Sequence, residues 1–200
     1  MLYILHEFTK RAMAPYVSFS TVGSQLFTNP FSPYSYLPNA KQVAASFELV
    51  HRMGKDYIKP AWEIDKVTIN EQEVQVTEKV ALEKPFCRLI HFERSATKNP
   101  DGDPIVLIVA PLSGHHATLL RDTVRTMLGS FDVYVTDWID ARMVPIYKGD
   151  FGLDDYVHYV MDFIRHLGPN THVMSVCQPT VPVMAAVSLM ASNKEPIQVK

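Results

Sequence analysis

Thr171-His-Val-Met-Ser-Val-Cys177-Gln-Pro-Thr-Val-Pro-Val-Met-Ala-Ala186 is the stretch on which the fold turns. Thr171 to Val176 predicts a strand, and Val181 to Ala191 predicts a helix that is apolar nearly all round. A sharp turn must join them, and Cys177 stands on it. Turns that present a nucleophile in this way read small-x-nucleophile-x-small, because the helix passes close to the strand it has just left. Ser175 meets the first requirement. Pro179 replaces the usual glycine, and its missing N–H does no harm in a first helical turn.

Working outward, strands and helices alternate. Pro104-Ile-Val-Leu-Ile-Val-Ala110 is a continuous apolar run, as in a strand covered on both faces. Residues 115–128 predict a helix with Leu119, Leu120, Val124, Met127 and Leu128 inward and Gly129 as its stop. Asp132 to Asp137 is the next strand. Leu153 to Leu167 is an amphipathic helix with Leu153, Tyr156, Val157, Val160, Phe163, Ile164 and Leu167 on one stripe, closed by Gly168-Pro169. Upstream, Val74, Val76, Val80 and Leu82 alternate with polar residues, and Cys87-Arg-Leu-Ile-His-Phe92 gives another strand. Ser95 to Asp103 is a polar loop with turn signals at Asn99-Pro100 and Asp101-Gly102. Two antiparallel-type strands followed by βαβαβα predict an α/β fold: the N-terminal half of an α/β-hydrolase-type, mostly parallel sheet flanked by helices, over residues 66–200. Residues 104–110, 132–137 and 171–176 are expected to be neighbouring parallel strands, with Cys177 at a carboxyl end.

Residues 1–65 read as a helical and irregular segment packed on that core. Leu2, Leu5, Phe8, Met13 and Tyr16 recur on a roughly helical period that Pro15 interrupts. A short packed helix fits better than a membrane-surface anchor, since the polar face offers only Lys10 and Arg11. Residues 19–38 mix aromatics with Pro30, Pro33 and Pro38 and predict an irregular wrap; residues 40–58 predict a second helix.

The balance of 19 basic against 21 acidic residues gives no electrostatic case for nucleic acid. Two cysteines and no CxxC spacing argue against a disulfide framework or structural zinc. The start lacks a signal-peptide pattern, and the longest apolar runs are far below membrane-spanning length. A cytoplasmic protein with free thiols and no cofactor is expected.

The chemistry converges on Cys177. A helix N-terminus favours nearby negative charge, which suits a thiolate nucleophile. The backbone N–H of Gln178 would supply half of an oxyanion hole, and the loop after strand 104–110, through Ser113, Gly114 and His115, the other half. Cys87, inside a strand, reads as a small buried hydrophobe. His158, Asp162 and His166 share a helix face that also carries Asp154, Asp155 and Arg165, so a solvated polar face is expected there rather than a metal site. In this architecture the acid and histidine follow the nucleophile. Here all eight histidines precede Cys177, and Glu195 is the only acid after it.

At Pro111-Leu-Ser-Gly-His-His-Ala-Thr-Leu-Leu-Arg121 and Ser175-Val-Cys-Gln-Pro-Thr-Val-Pro182 the chain resembles the intracellular poly(3-hydroxybutyrate) depolymerases of bacteria. The resemblance runs along the chain, including Tyr16-Val-Ser-Phe-Ser20, but covers about the N-terminal half of the family's length. It implies Cys177 as nucleophile, a storage polyester as substrate, attachment to polymer granules, and a partial sequence whose Asp and His lie beyond Lys200. Polyhydroxyalkanoate synthases, which keep an Asp-Trp like Asp137-Trp138, form the alternative acyltransferase reading. A caspase-like hydrolase would pair His115 or His116 with Cys177. A non-catalytic granule-binding protein would use aromatics 19–36 instead.

Overall fold

The computed structural model describes the chain except Met1 and residues 55–58, 97–98, 100–101, 114–115, 198 and 200; in the first helix the side chains of 2–7, 10, 11, 13 and 14 also lie outside the description. The chain divides into two compact units, residues 1–58 and 59–200.

The first unit is a helical hairpin. Helix α1 spans Leu2–Thr28 with Pro15 inside it, and α2 spans Ala40–Gly54. The sequence placed a break at Pro15 and an irregular wrap from residue 19; instead the helix continues to Thr28. Proline removes one N–H from a helix, and here packing against α2 outweighs that loss. The α1–α2 contact is close at Gly23, where an added Cβ would lie 2.8 Å from the Phe47 ring. Phe27 stacks on Phe47 and tilts against Tyr34, so part of the aromatic run closes the hairpin's own core. The periodicity at Leu2, Leu5 and Met13, and the polar pair Lys10 and Arg11, concern side chains outside the description. Residues 29–39 carry the irregular part, with a short 3₁₀ turn at Pro33–Tyr36 capped by the Ser32 side chain. The second helix was expected to reach residue 58; it is described to Gly54, and 55–58 lie outside the described residues.

The second unit is a mixed α/β fold around one six-stranded sheet. Its strands are β1 (Lys66–Ile69), β2 (Gln72–Glu83), β3 (Cys87–Arg94), β4 (Ile105–Val109), β5 (Asp132–Trp138) and β6 (His172–Ser175), in spatial order β1-β2-β3-β5-β4-β6. β1, β2, β3 and β5 pair antiparallel in succession; β4 lies between β5 and β6 and is parallel to both. Residues 59–65, grouped by sequence with the N-terminal segment, belong to this unit and bury Trp62 and Ile64 in its core. Strand β1 has no counterpart in the sequence reading. It joins β2 through Asn70 and Glu71, both at positive φ (49° and 65°), a turn that a glutamate does not announce.

Helices cover both faces. Helix α3 (Arg121–Leu128) packs Val124 and Leu128 on the face carrying Ile108, Val133 and Val135. Helices α4 (Leu153–Leu167) and α5 (Thr180–Ser192) pack on the opposite face, with Leu107, Val109 and Trp138. The period-2 alternation of β4 and β5 sends successive side chains to these two cores. Three inward assignments fail. Residues 117–120 form a 3₁₀ turn before α3 rather than its first α-turn, which swings Leu119 outward to 59% exposure. Leu153 opens α4 at the rim and is also exposed. Helix α5, expected to be covered all round, leaves Val181, Met184 and Leu189 in solvent. Among the described residues no helix is long and apolar enough to cross a membrane.

Candidate active site

Cys177 lies between the end of β6 and the start of α5, is exposed, and has φ 68°. That left-handed conformation costs an L-residue with a Cβ roughly 1–2 kcal/mol, and cysteine, unlike asparagine, gains no backbone bond there. The turn is fastened around it. The N–H of Thr180 donates to the Cys177 carbonyl at 3.2 Å, the N–H of Val183 donates to the Pro179 carbonyl at 3.0 Å, and the Ser175 and Thr180 hydroxyls lie 3.4 Å apart across the turn. Pro179 is buried at αR angles as the residue before the helix, so its ring and absent N–H are accommodated there. Strain at this position gives a direct test. Cys177→Gly and Cys177→Ala both remove the thiol, but only glycine relaxes φ 68°; the glycine variant is expected to be more stable by about 1 kcal/mol, roughly 2–4 °C in Tm. Equal melting temperatures would show that the backbone is not strained.

The loop after β4 arrives beside this turn. The amide oxygen of the Gln178 side chain accepts the backbone N–H of Leu112 at 2.9 Å. Ser113 follows, exposed, while Gly114 and His115 lie outside the described residues. Gln178 and Ser113 are thus brought to one end of the sheet with Cys177. Among the described residues no acceptor meets the Gln178 N–H.

The base of that loop is held by Thr136, Trp138 and Tyr156, none of which the sequence placed beside the Cys177 turn. Both polar backbone groups of Ala110 are taken by side chains: its N–H donates to Thr136 Oγ1 at 2.9 Å, and its carbonyl accepts Trp138 Nε1 at 2.9 Å and the Tyr156 hydroxyl at 3.3 Å. Burial pushes the Tyr156 phenol upward, so it stays a hydrogen-bond donor. The loop after β5 reaches the same end. Arg142 grips Asp140 through side chain and backbone and holds its carboxyl below the usual range, with a smaller pull from His116. At the end of β5, Asp137 is buried and paired with Lys59 at 2.5 Å.

Cys87 differs in every respect. It opens β3 rather than lying mid-strand, is fully buried, and burial pushes its thiol well above the ordinary range, with the Asp137 charge adding to the effect. On α4, Asp162 is tied to Lys84 at 2.5 Å and Arg165 at 3.0 Å. Among the described residues no three His, Cys, Asp or Glu side chains gather closely enough to hold a metal ion. No protein-family model matches the chain, and no curated protein matches it.

Proposed function

We propose that the second unit is the N-terminal half of an α/β-hydrolase-type domain and that Cys177 is the nucleophile of an acyl-transfer reaction. The observation that carries this reading is Cys177's exposed thiol on a left-handed backbone between a strand and a helix, at the carboxyl end of parallel strands. A strained residue at such a place is a usual sign of a functional constraint. The order β2-β3-β5-β4-β6, antiparallel at β2 and β3 and parallel after β5, supports the same architecture.

In this reading the substrate is the ester bond of a poly(3-hydroxybutyrate)-type storage polyester, met at the granule surface in the cytoplasm. The Cys177 thiolate attacks the ester carbonyl, and the charge that develops on oxygen is held by the Gln178 N–H and donors of the Ser113 loop. The carbon–oxygen bond breaks, the alcohol leaves with a proton, and an acyl thioester remains on Cys177. Water then attacks the thioester, giving the free acid and restoring the thiol. The synthase alternative differs in both steps: an activated acyl thioester takes the place of the polyester and its thiol leaves with a proton, and a hydroxyl of a growing chain then takes the acyl group from Cys177 in place of water.

The test is mass spectrometry of the protein mixed with a short 3-hydroxybutyrate oligomer and quenched in acid. One acyl mass on the Cys177 peptide, with Cys87 unmodified, is the expected result; an adduct elsewhere, or none, refutes the proposal. The caspase-like alternative would pair His115 or His116 with Cys177 as a dyad lying within these residues. Repeated turnover by these 200 residues, rather than a single acylation, supports that alternative.

A further inference from the structure

A loop that contributes to an oxyanion hole must be held against the nucleophile's own turn, because a displacement of about 1 Å can cost on the order of 10² in rate. The loop after β4 and the turn after β6 belong to segments far apart in sequence. Beyond the β4–β6 ladder, which ends at Val109 and Ser175, one hydrogen bond joins them among the described residues, from the Leu112 N–H to the Gln178 side-chain amide. The donor is a backbone N–H, so the group it meets must be the amide oxygen and not the nitrogen, which fixes the orientation of the Gln178 amide.

We propose that Gln178 is a positioning residue: its side chain clamps the loop after β4 to the Cys177 turn, while its own backbone N–H faces the developing oxyanion. The inference rests on the acyl-transfer reading of Cys177. One residue then sets the distance between both halves of the anion cradle. The clamp also occupies the Leu112 N–H, so Leu112 is not itself an oxyanion donor. The side chain's length and its acceptor are what matter. Methionine has the reach without the acceptor, and glutamate keeps an oxygen at the same reach. Gln178 is exposed, so either change leaves the core intact.

Two readouts on the whole chain test this. The first is hydrogen exchange at the Leu112 amide, followed by NMR. Gln178→Met is expected to speed that exchange at least tenfold, and Gln178→Glu to keep it protected. The second is the ratio of two rates at Cys177: acylation by p-nitrophenyl butyrate, which passes through an oxyanion, and alkylation by iodoacetamide, which does not. Dividing one by the other removes any change in thiolate supply. Gln178→Met is expected to lower the ratio about ten- to a hundredfold. Unchanged Leu112 exchange in Gln178→Met overturns the clamp. Faster exchange with an unchanged ratio overturns its positioning role and leaves a bond of structure only. A wild-type ratio no higher than that of a free cysteine peptide is a different failure: it sinks the acyl-transfer reading before any variant is compared, while the exchange experiment still decides whether the bond exists.

Discussion

Cys177→Ala is expected, on the acyl-transfer reading, to abolish acylation of the chain by activated esters, a loss on the order of 10³ or more, as when a covalent nucleophile is removed. The fold is expected to survive, because the change deletes one sulfur from an exposed turn. Cys177→Ser is the sharper companion. A hydroxyl occupies the same place on the same backbone, yet a serine needs a base that a thiol can largely do without. A large but incomplete loss is expected. Cys87 is the internal control: fully buried, with its thiol pushed up, it should take up neither an acyl group nor iodoacetamide in the folded protein. Single-turnover acylation and far-UV circular dichroism measure the two effects separately, and undiminished acylation of the alanine variant defeats the nucleophile assignment.

The largest expected effect on stability lies at the other end of the sheet. Arg94 and Asp103 form an ion pair at 2.6 Å with side chains only 2% and 0% exposed, and Arg94 also donates to the Leu128 carbonyl that ends α3. Asp103 accepts from Asn99 as well, through both backbone and side chain. Asp103→Ala strands a guanidinium without its counter-ion, a change that costs about 3–5 kcal/mol. Against a total stability of roughly 5–15 kcal/mol, that is a large share. The chain's two tryptophans, Trp62 and Trp138, both lie in the second unit, so urea unfolding followed by their fluorescence reports on it. Arg94→Met combined with Asp103→Ala is expected to cost less than Asp103→Ala alone, since no charge is then left buried. If the double variant is the less stable of the two, the loss came from packing and not from the stranded charge.

The strand-and-helix alternation of the second unit was legible because hydrophobic period reports burial directly. Leu153–Leu167 matches the helix read from its stripe, and the three apolar runs at 104, 132 and 171 are neighbouring parallel strands. Local pattern misled where tertiary contact decides. Pro15 looked like a terminator, but α2 supports the helix through it. Lys66–Ile69 was too short, and its turn too unusual in residue type, to read as a strand. At the candidate site, the Cys177 turn could be read from its flanks alone. The Gln178–Leu112 bond, the Thr136 and Trp138 contacts to Ala110, and the Arg94–Asp103 pair could not. Each joins residues whose proximity exists only once the chain is folded or a loop is closed, and no short-range spacing encodes them.

The double hold on Ala110 dictates how the neighbouring loop can move. With its N–H on Thr136 and its carbonyl on Trp138 and Tyr156, Ala110 cannot rotate without breaking buried bonds. Pro111 adds a ring-fixed φ and restricts the residue before it. The first free hinge is therefore Leu112, the residue Gln178 holds. On the acyl-transfer reading, an acyl chain that displaced Leu112 would first have to break that hydrogen bond, which couples ligand size to the placement of the Gln178 turn.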